Sequence, residues 1–336
     1  MHELRHPILA VDRFQQRHRL LAFPFATAKK FSDDQAGNLA GLIAYYGFLS
    51  LFPLLLVLVS ILGRLLPTHP GLQHRVLDSA LANFPVVGPE LKRNVHALTA
   101  HSTTALVIGT VLAVWAGTQV VKATEHALDS VWNVPYRQRP GFLATNARAL
   151  AMLLVLGAIT AASAVTGALG GGSGAWWWTV GGVLLSLLLN WALFLLMFRV
   201  LTVTSLSWSD VLPGALVAGT AWTILQALGG LYVRHEIQAS TGTYGTFAIV
   251  IGLLAWIYLG AQITLFAAEL NVVRKERLWP RSITYRPPTA ADELQLRRLA
   301  KVEERREGQQ VHTTLPDETS HTPADRPTDG DVRRSA

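Results

Sequence analysis

Long runs without a single charge decide the solvent of this chain before any motif is read. Leu39–Gly63, Ser102–Val121, Ala149–Phe198, Val211–Val233 and Ile237–Ala268 contain no Asp, Glu, Lys or Arg. The longest is 50 residues and is broken at its middle by Gly170-Gly171-Gly172-Ser173-Gly174. A helix rises about 1.5 Å per residue, so about 20 apolar residues cross the hydrocarbon core of a bilayer. With the longest run cut in two, each stretch can cross once. A soluble helix of this length would carry a polar face, and these do not.

The expected fold class is therefore all-α, a polytopic transmembrane helical bundle of six spans. The spans fall near 39–63, 102–121, 149–170, 176–198, 211–233 and 243–268. They form a transmembrane domain over 39–273. A basic segment, 1–38, precedes it, and a polar, largely disordered tail, 274–336, follows. Only 15% of residues are charged, against about 25% in a soluble domain. The absence of Cys excludes disulfides, thiolate metal sites and a Cys nucleophile. Basic residues stay on the cytoplasmic side during insertion. The two terminal segments and the even-numbered loops hold 24 of the 29 Lys and Arg residues. Without the tail the count is still 11 against 5. Both termini are expected in the cytoplasm.

Local signals refine this picture. Ser32-Asp33-Asp34-Gln35 reads as a capping box that starts the first spanning helix. Pro53 sits inside that span, removes a backbone donor and is a candidate kink, with neighbouring helices or Ser50 able to serve the freed carbonyl. Pro213 reads as a first-turn proline of the fifth span. Gly109, Ala113 and Gly117, and Gly214 with Ala218, are spaced for close helix approach. Residues 64–101 read as two short amphipathic helices on the outer face, and Trp176, Trp177 and Trp178 as an aromatic belt. The charged stretch Asp292–Glu307 is a further helix candidate, and Thr313–Ala336 reads as disordered.

Polar side chains inside the spans are costly and therefore informative. Tyr45, Tyr46, Gln119, Asn190, Gln226, Gln262 and Glu269 are such exceptions. Tyr45, Tyr46, Asn190, Gln262 and Glu269 form a candidate polar cavity, Gln262 and Glu269 being two turns apart on one face. The competing reading is that they tie helices together, with Asn271 and Arg274 holding Glu269 at the interface. Lys122, Glu125, His126 and Asp129 read as the polar side of a helix extending the second span. Arg199 reads as snorkelling to the headgroups. His69, His74, His96 and His101 lack a metal-ligand spacing, and no phosphate-binding glycine loop or nucleophile elbow occurs. No metal, cofactor or catalytic residue is expected.

Several segments together resemble one family. Asn38-Leu39-Ala40, Ala44-Tyr45-Tyr46 and Ser50-Leu51-Phe52-Pro53 are similar to the opening of the YihY/virulence factor BrkB family. The likeness continues at Ala127-Leu128-Asp129 with Trp132, where the family usually has Asn in place of Asp129. It continues through Trp208-Ser209-Asp210-Val211-Leu212-Pro213-Gly214, Tyr244-Gly245-Thr246-Phe247 and Trp256-Ile257-Tyr258, and ends at Ala268-Glu269-Leu270-Asn271. It covers roughly residues 30–280. The resemblance implies a multi-pass protein of the bacterial inner membrane with both termini cytoplasmic. The family has carried a ribonuclease BN label, and some members are discussed as exporters of lipids or envelope precursors. The cluster that a zinc ribonuclease needs is missing here, so nucleic acid is not an expected partner. The expected partners are membrane lipids, a lipid or amphiphilic substrate, and a second copy of the chain. The readings are transport or flipping of an envelope component, a non-transporting scaffold, and, on the label alone, a tRNA-processing ribonuclease.

Overall fold

The computed structural model describes residues 5–65, 103–170, 176–236, 245–284 and 288–314. Among these residues the α-helices are α1 Arg5–Arg17, α2 Arg19–Asp33, α3 Ala36–Leu65, α4 Thr103–Val131, α5 Phe142–Gly170, α6 Trp176–Val200, α7 Trp208–Glu236, α8 Gly245–Glu276 and α9 Ala290–Val302. No strand occurs among the described residues. Helices α3 to α8 are all long and apolar enough to cross a membrane. Such helices satisfy their backbone groups internally, as an environment without water requires.

The six long helices close a ring. Each packs on the next in the chain, and α8 returns to α3 while also touching α4. The apolar surface is turned outward. Val111 on α4 is 63% exposed and Leu188 on α6 is 56% exposed, values that suit lipid and not water. Small side chains fill the inner seams. Ala36, Ala40 and Ala44 form a buried stripe on α3, and Ala261, Leu265, Ala268 and Val272 form one on α8. Van der Waals packing at such stripes holds helices together where lipid removes the hydrophobic drive. Gly214 brings α7 against α8, and a Cβ there would collide with the Ala267 carbonyl and Asn271. Gly117 packs on Leu153 of α5, which a Cβ would meet at 2.8 Å.

Several expectations need correction. The helices overrun the expected spans because helicity continues past the hydrocarbon into the loops. Ser32 caps nothing. It lies in the last turn of α2, which ends at Asp33, and Gln35 turns the chain into α3 with φ 52°. A capping box is instead present at α9, where Thr289 accepts from the Asp292 N–H and Asp292 accepts from the Thr289 N–H. Ser50 donates to the Gly47 carbonyl at 2.8 Å, not to the carbonyl Pro53 leaves free. Because α7 begins at Trp208, Pro213 falls in its second turn. Disorder does not hold for the first part of the tail, where Arg281, Ser282, Asp292 and Gln295 are buried. Charge pairing, invisible to a composition rule, orders it. The two amphipathic helices, the four His residues of 64–101, the Gly171–Gly174 turn and the tail after residue 314 lie outside the described residues. So do the side chains of Trp176, Trp177 and Trp178.

Candidate functional site

Among the described residues, polar groups gather at the end of the ring where α1, α2 and α9 pack, at the junction of α7 and α8, and in a cavity lined by all six ring helices. The terminal assembly starts on α2. Its buried face, Ala22, Ala26, Thr27 and Lys30, follows helical spacing and lies against α8. Small residues let α2 sit close, and Lys30 then has no route to water. Its Nζ donates to the Val131 carbonyl at the end of α4 at 2.7 Å, and to Asp34. It also lies 2.8 Å from Glu269 Oε2. The side chains of Lys30, Asp34 and Glu269 are all at most 1% exposed.

A second charge network locks the C-terminal segment onto α1 and α2. Asp292 at the start of α9 receives Arg281 Nε at 2.5 Å, Lys29 Nζ at 3.0 Å and the Ser282 N–H at 2.9 Å. Arg281 reaches Asp33 at 2.7 Å with its other arm. Burial works to raise the Asp292 carboxyl, but these donors and the Thr289 N–H hold it well below the usual carboxylate range. Asp12 of α1 accepts from the Ile283 N–H and the Ser282 hydroxyl, both at 3.0 Å. Burial raises Asp12 too, and its hydrogen bonds more than compensate, leaving it lowered. Gln295 of α9 donates to Asp34 Oδ1 at 3.1 Å, which joins the two networks.

The junction of α7 and α8 repairs the helix that Pro213 interrupts. Proline cannot donate to the carbonyl four residues back, here Ser209. Arg274 donates to that carbonyl at 3.3 Å. Asn271 accepts from the Gly214 N–H at 2.7 Å and donates to the Val211 carbonyl at 3.2 Å. Lys275 pairs with Asp210 at 2.9 Å. Asn271 and Arg274 thus serve α7, and do not hold Glu269 as one reading of the sequence had it.

The central cavity has a volume of about 370 Å³. At about 30 Å³ per water it would hold about a dozen, enough for a headgroup or part of a chain but not a whole phospholipid. All six ring helices line it. Ile43 comes from α3, Thr124 from α4, Ile159 from α5, Asn190 and Phe194 from α6, Trp222 and Gln226 from α7, and Trp256 and Thr264 from α8. The walls are mainly apolar. Asn190 Nδ2 donates to Thr223 at 3.1 Å. Trp256 is 9% exposed and its Nε1, itself closed to solvent, has no acceptor among the described residues. A buried donor without a partner costs about 1–3 kcal/mol, so a rearrangement of the ring that brings an acceptor to it is favoured.

The five expected cavity residues do not share one site. Asn190 lines the central cavity. Gln262 faces a separate shallow pocket between Phe31, Val217 and Phe266. Glu269 belongs to the terminal assembly. Tyr45 is more than half exposed on the outside of α3, with Tyr46 packed partly on the core and the two rings edge to face at 5.3 Å. Pro53 lies within α3, which continues to Leu65. Glu125 and Asp129, expected on a polar helix side, are buried. Arg148 of α5 approaches Glu125 at 3.5 Å, and the Val203 N–H donates to Asp129 at 3.1 Å. Arg199, at the end of α6, turns into the loop that follows. It donates to the Leu206 carbonyl and stacks on the Trp208 ring at 4.3 Å.

Sequence reasoning passed over Lys30, Asp34, Trp256 and Thr264. A signal for Lys30 existed in the small-residue periodicity of α2, which points that lysine at the same face as Ala22 and Ala26. A signal for Trp256 existed in its depth, since tryptophan prefers the interface and not the middle of a span.

Comparison with known proteins adds a family. A family model described as "Virulence factor BrkB" matches residues 27–292. A UPF0761 membrane protein of Photobacterium profundum is 26% identical over 260 residues, covering 74% of this chain and 79% of that one. The inner membrane protein YhjD of Escherichia coli is 23% identical over 274 residues, covering 75% and 81%. A UPF0761 membrane protein of Pseudomonas paraeruginosa is 30% identical over 268 residues, covering 77% and 64%. No solved structure matches.

Proposed function

This chain belongs to the virulence factor BrkB family of membrane proteins, and on that premise we propose that it moves a lipid or other amphiphilic envelope component across the bacterial inner membrane. The central cavity carries this reading. It lies inside a ring of spanning helices, has mainly apolar walls, and carries the polar side chains of Asn190, Gln226 and Thr264 on its lining. An amphiphile has the matching parts, an apolar body and an acceptor-bearing head. Because the cavity is smaller than a phospholipid, the cargo would place its head in the ring and leave its chains between the helices, against lipid.

The inner membrane is proposed by likeness to YhjD, which bears that name. The terminal assembly faces the cytoplasm in this reading, as the distribution of Lys and Arg supports. No catalytic step is required. The carboxylates that a ribonuclease reading would recruit, Glu125 and Asp129, are engaged by Arg148 and the Val203 backbone.

The test is movement of labelled lipid in proteoliposomes. Purified protein is reconstituted with a panel of fluorescent phospholipids of neutral and anionic headgroup, and of polyprenyl phosphates. Transport by the wild type and its loss in Thr264→Phe, which fills the cavity, is the expected result. If no lipid of the panel moves, the protein is instead a scaffold whose polar groups only join helices.

A further inference from the structure

We propose that the Lys30–Asp34–Glu269 cluster is a proton-binding site, with one exchangeable proton carried on Glu269. The argument is a count of charges and of donors. Two carboxyls face one ammonium in a place closed to water. Lys30 spends its N–H groups on the Val131 carbonyl, on Asp34 and toward Glu269 Oε2. Asp34 is satisfied on both oxygens, by Lys30 and by Gln295 Nε2. Both Glu269 oxygens are buried without a hydrogen-bond partner among the described residues, Oε2 having only its ionic contact with Lys30. An ionised Glu269 would leave one uncompensated negative charge in a dry site, and two carboxyls so placed hold a proton between them instead.

Among the described residues, the charged groups around the cluster are directed elsewhere. Lys29 and Arg281 both pair with Asp292, and Arg281 also with Asp33. Asp12 on α1 is taken by the backbone and hydroxyl of residues 282–283. On α8, Arg274 and Lys275 turn away to Ser209 and Asp210. What α4 offers is the Val131 carbonyl, an acceptor.

Position gives the proton a consequence. Glu269 lies five residues beyond Thr264, so the site is about 7.5 Å along α8 from the cavity wall. Asp34 closes α2 and leads through Gln35, at φ 52°, into α3. Loss of the proton sets Asp34 and Glu269 against each other across the contact of α2 with α8. A proton gradient can thereby bias how the terminal assembly sits on the ring. That last step rests on the transport reading, whereas proton binding itself needs no cargo.

The test is infrared spectroscopy of the purified protein in nanodiscs, titrated from mildly acidic to mildly alkaline pH in water and in deuterium oxide. The wild type should show a C=O band of a buried protonated carboxylic acid that shifts on deuteration. Glu269→Gln should abolish it. Asp34→Asn should abolish it too, because with the excess charge gone Glu269 ionises against Lys30. The second variant leaves Glu269 in place, so the test survives misfolding of the first. Absence of the band in the wild type overturns the proposal, as does its persistence in Asp34→Asn or a failure to shift in deuterium oxide. None of these outcomes depends on whether lipid is moved.

Discussion

Replacing Lys30 with Met removes the ammonium that holds α2 on α8 while keeping its volume. The structure gives the magnitude. Breaking a buried ion pair by deleting one partner costs about 3–5 kcal/mol. An independent route reaches the same figure. With Lys30 gone, the cluster avoids a bare carboxylate by taking up one further proton. For a carboxyl of ordinary value about 3.9, at about pH 7 that costs about 4 kcal/mol. The Val131 carbonyl also loses a donor, about 1 kcal/mol more. Lys30→Met should therefore lose about 4–5 kcal/mol in a reversible denaturant titration in mixed micelles. The loss has a pH signature. Protonation becomes about 1.4 kcal/mol easier for each unit of acidification, so at about pH 5 the deficit should shrink by about 2.7 kcal/mol. Adding Asp34→Leu to Lys30→Met removes the stranded carboxylate and should recover most of the loss. A deficit under about 1 kcal/mol, or one unchanged between the two pH values, would refute the reasoning that the cluster is dry and charge-limited.

Three further outcomes follow from the same geometry. Asn271→Leu strands the Gly214 N–H and the Val211 carbonyl, and should cost about 2–4 kcal/mol by the same denaturant titration. Gly214→Ala forces a methyl group onto the Ala267 carbonyl and Asn271; a loss of about 1–3 kcal/mol is expected, read as a lower melting temperature in micelles. Asp292 is depressed when folded, so it stabilises fully above its ordinary value of 3.8 and that contribution fades as pH falls through the lower folded value. As pH falls below about 3.8, α9 should therefore loosen progressively, read as cleavage at its leucines by an acid-stable protease, and Asp292→Asn should loosen it at neutral pH, read as trypsin cleavage after Arg297 or Arg298.

The membrane-spanning part of the fold was legible because its signal is local. A helix in hydrocarbon needs only length and apolarity, and both are printed in each run. The junction of α7 and α8 was half legible. Pro213 and Asn271 stand out in the sequence, but that one supplies what the other lacks requires knowing that α7 and α8 touch. The terminal assembly was hidden for the same reason. Lys30 looks like any basic residue beside a membrane, and its burial depends on Glu269, far along the chain. Glu269 did stand out, since a carboxylate in an apolar run demands a partner, but the expected cavity was the wrong surrounding. The central cavity escaped because Thr264 is ordinary in an apolar helix, and the unusual depth of Trp256 does not say which helices it faces. Only the closing of the ring turns them inward.

Lipid retained by the purified protein tests the central claim most directly. Wild type and Thr264→Phe, extracted and washed identically, would be compared by native mass spectrometry with the bound lipid then released and identified. The account predicts one tightly held amphiphile on the wild type, absent from Thr264→Phe while both remain folded. Equal lipid on both proteins, or none on either, would contradict a cargo site at the centre of the ring.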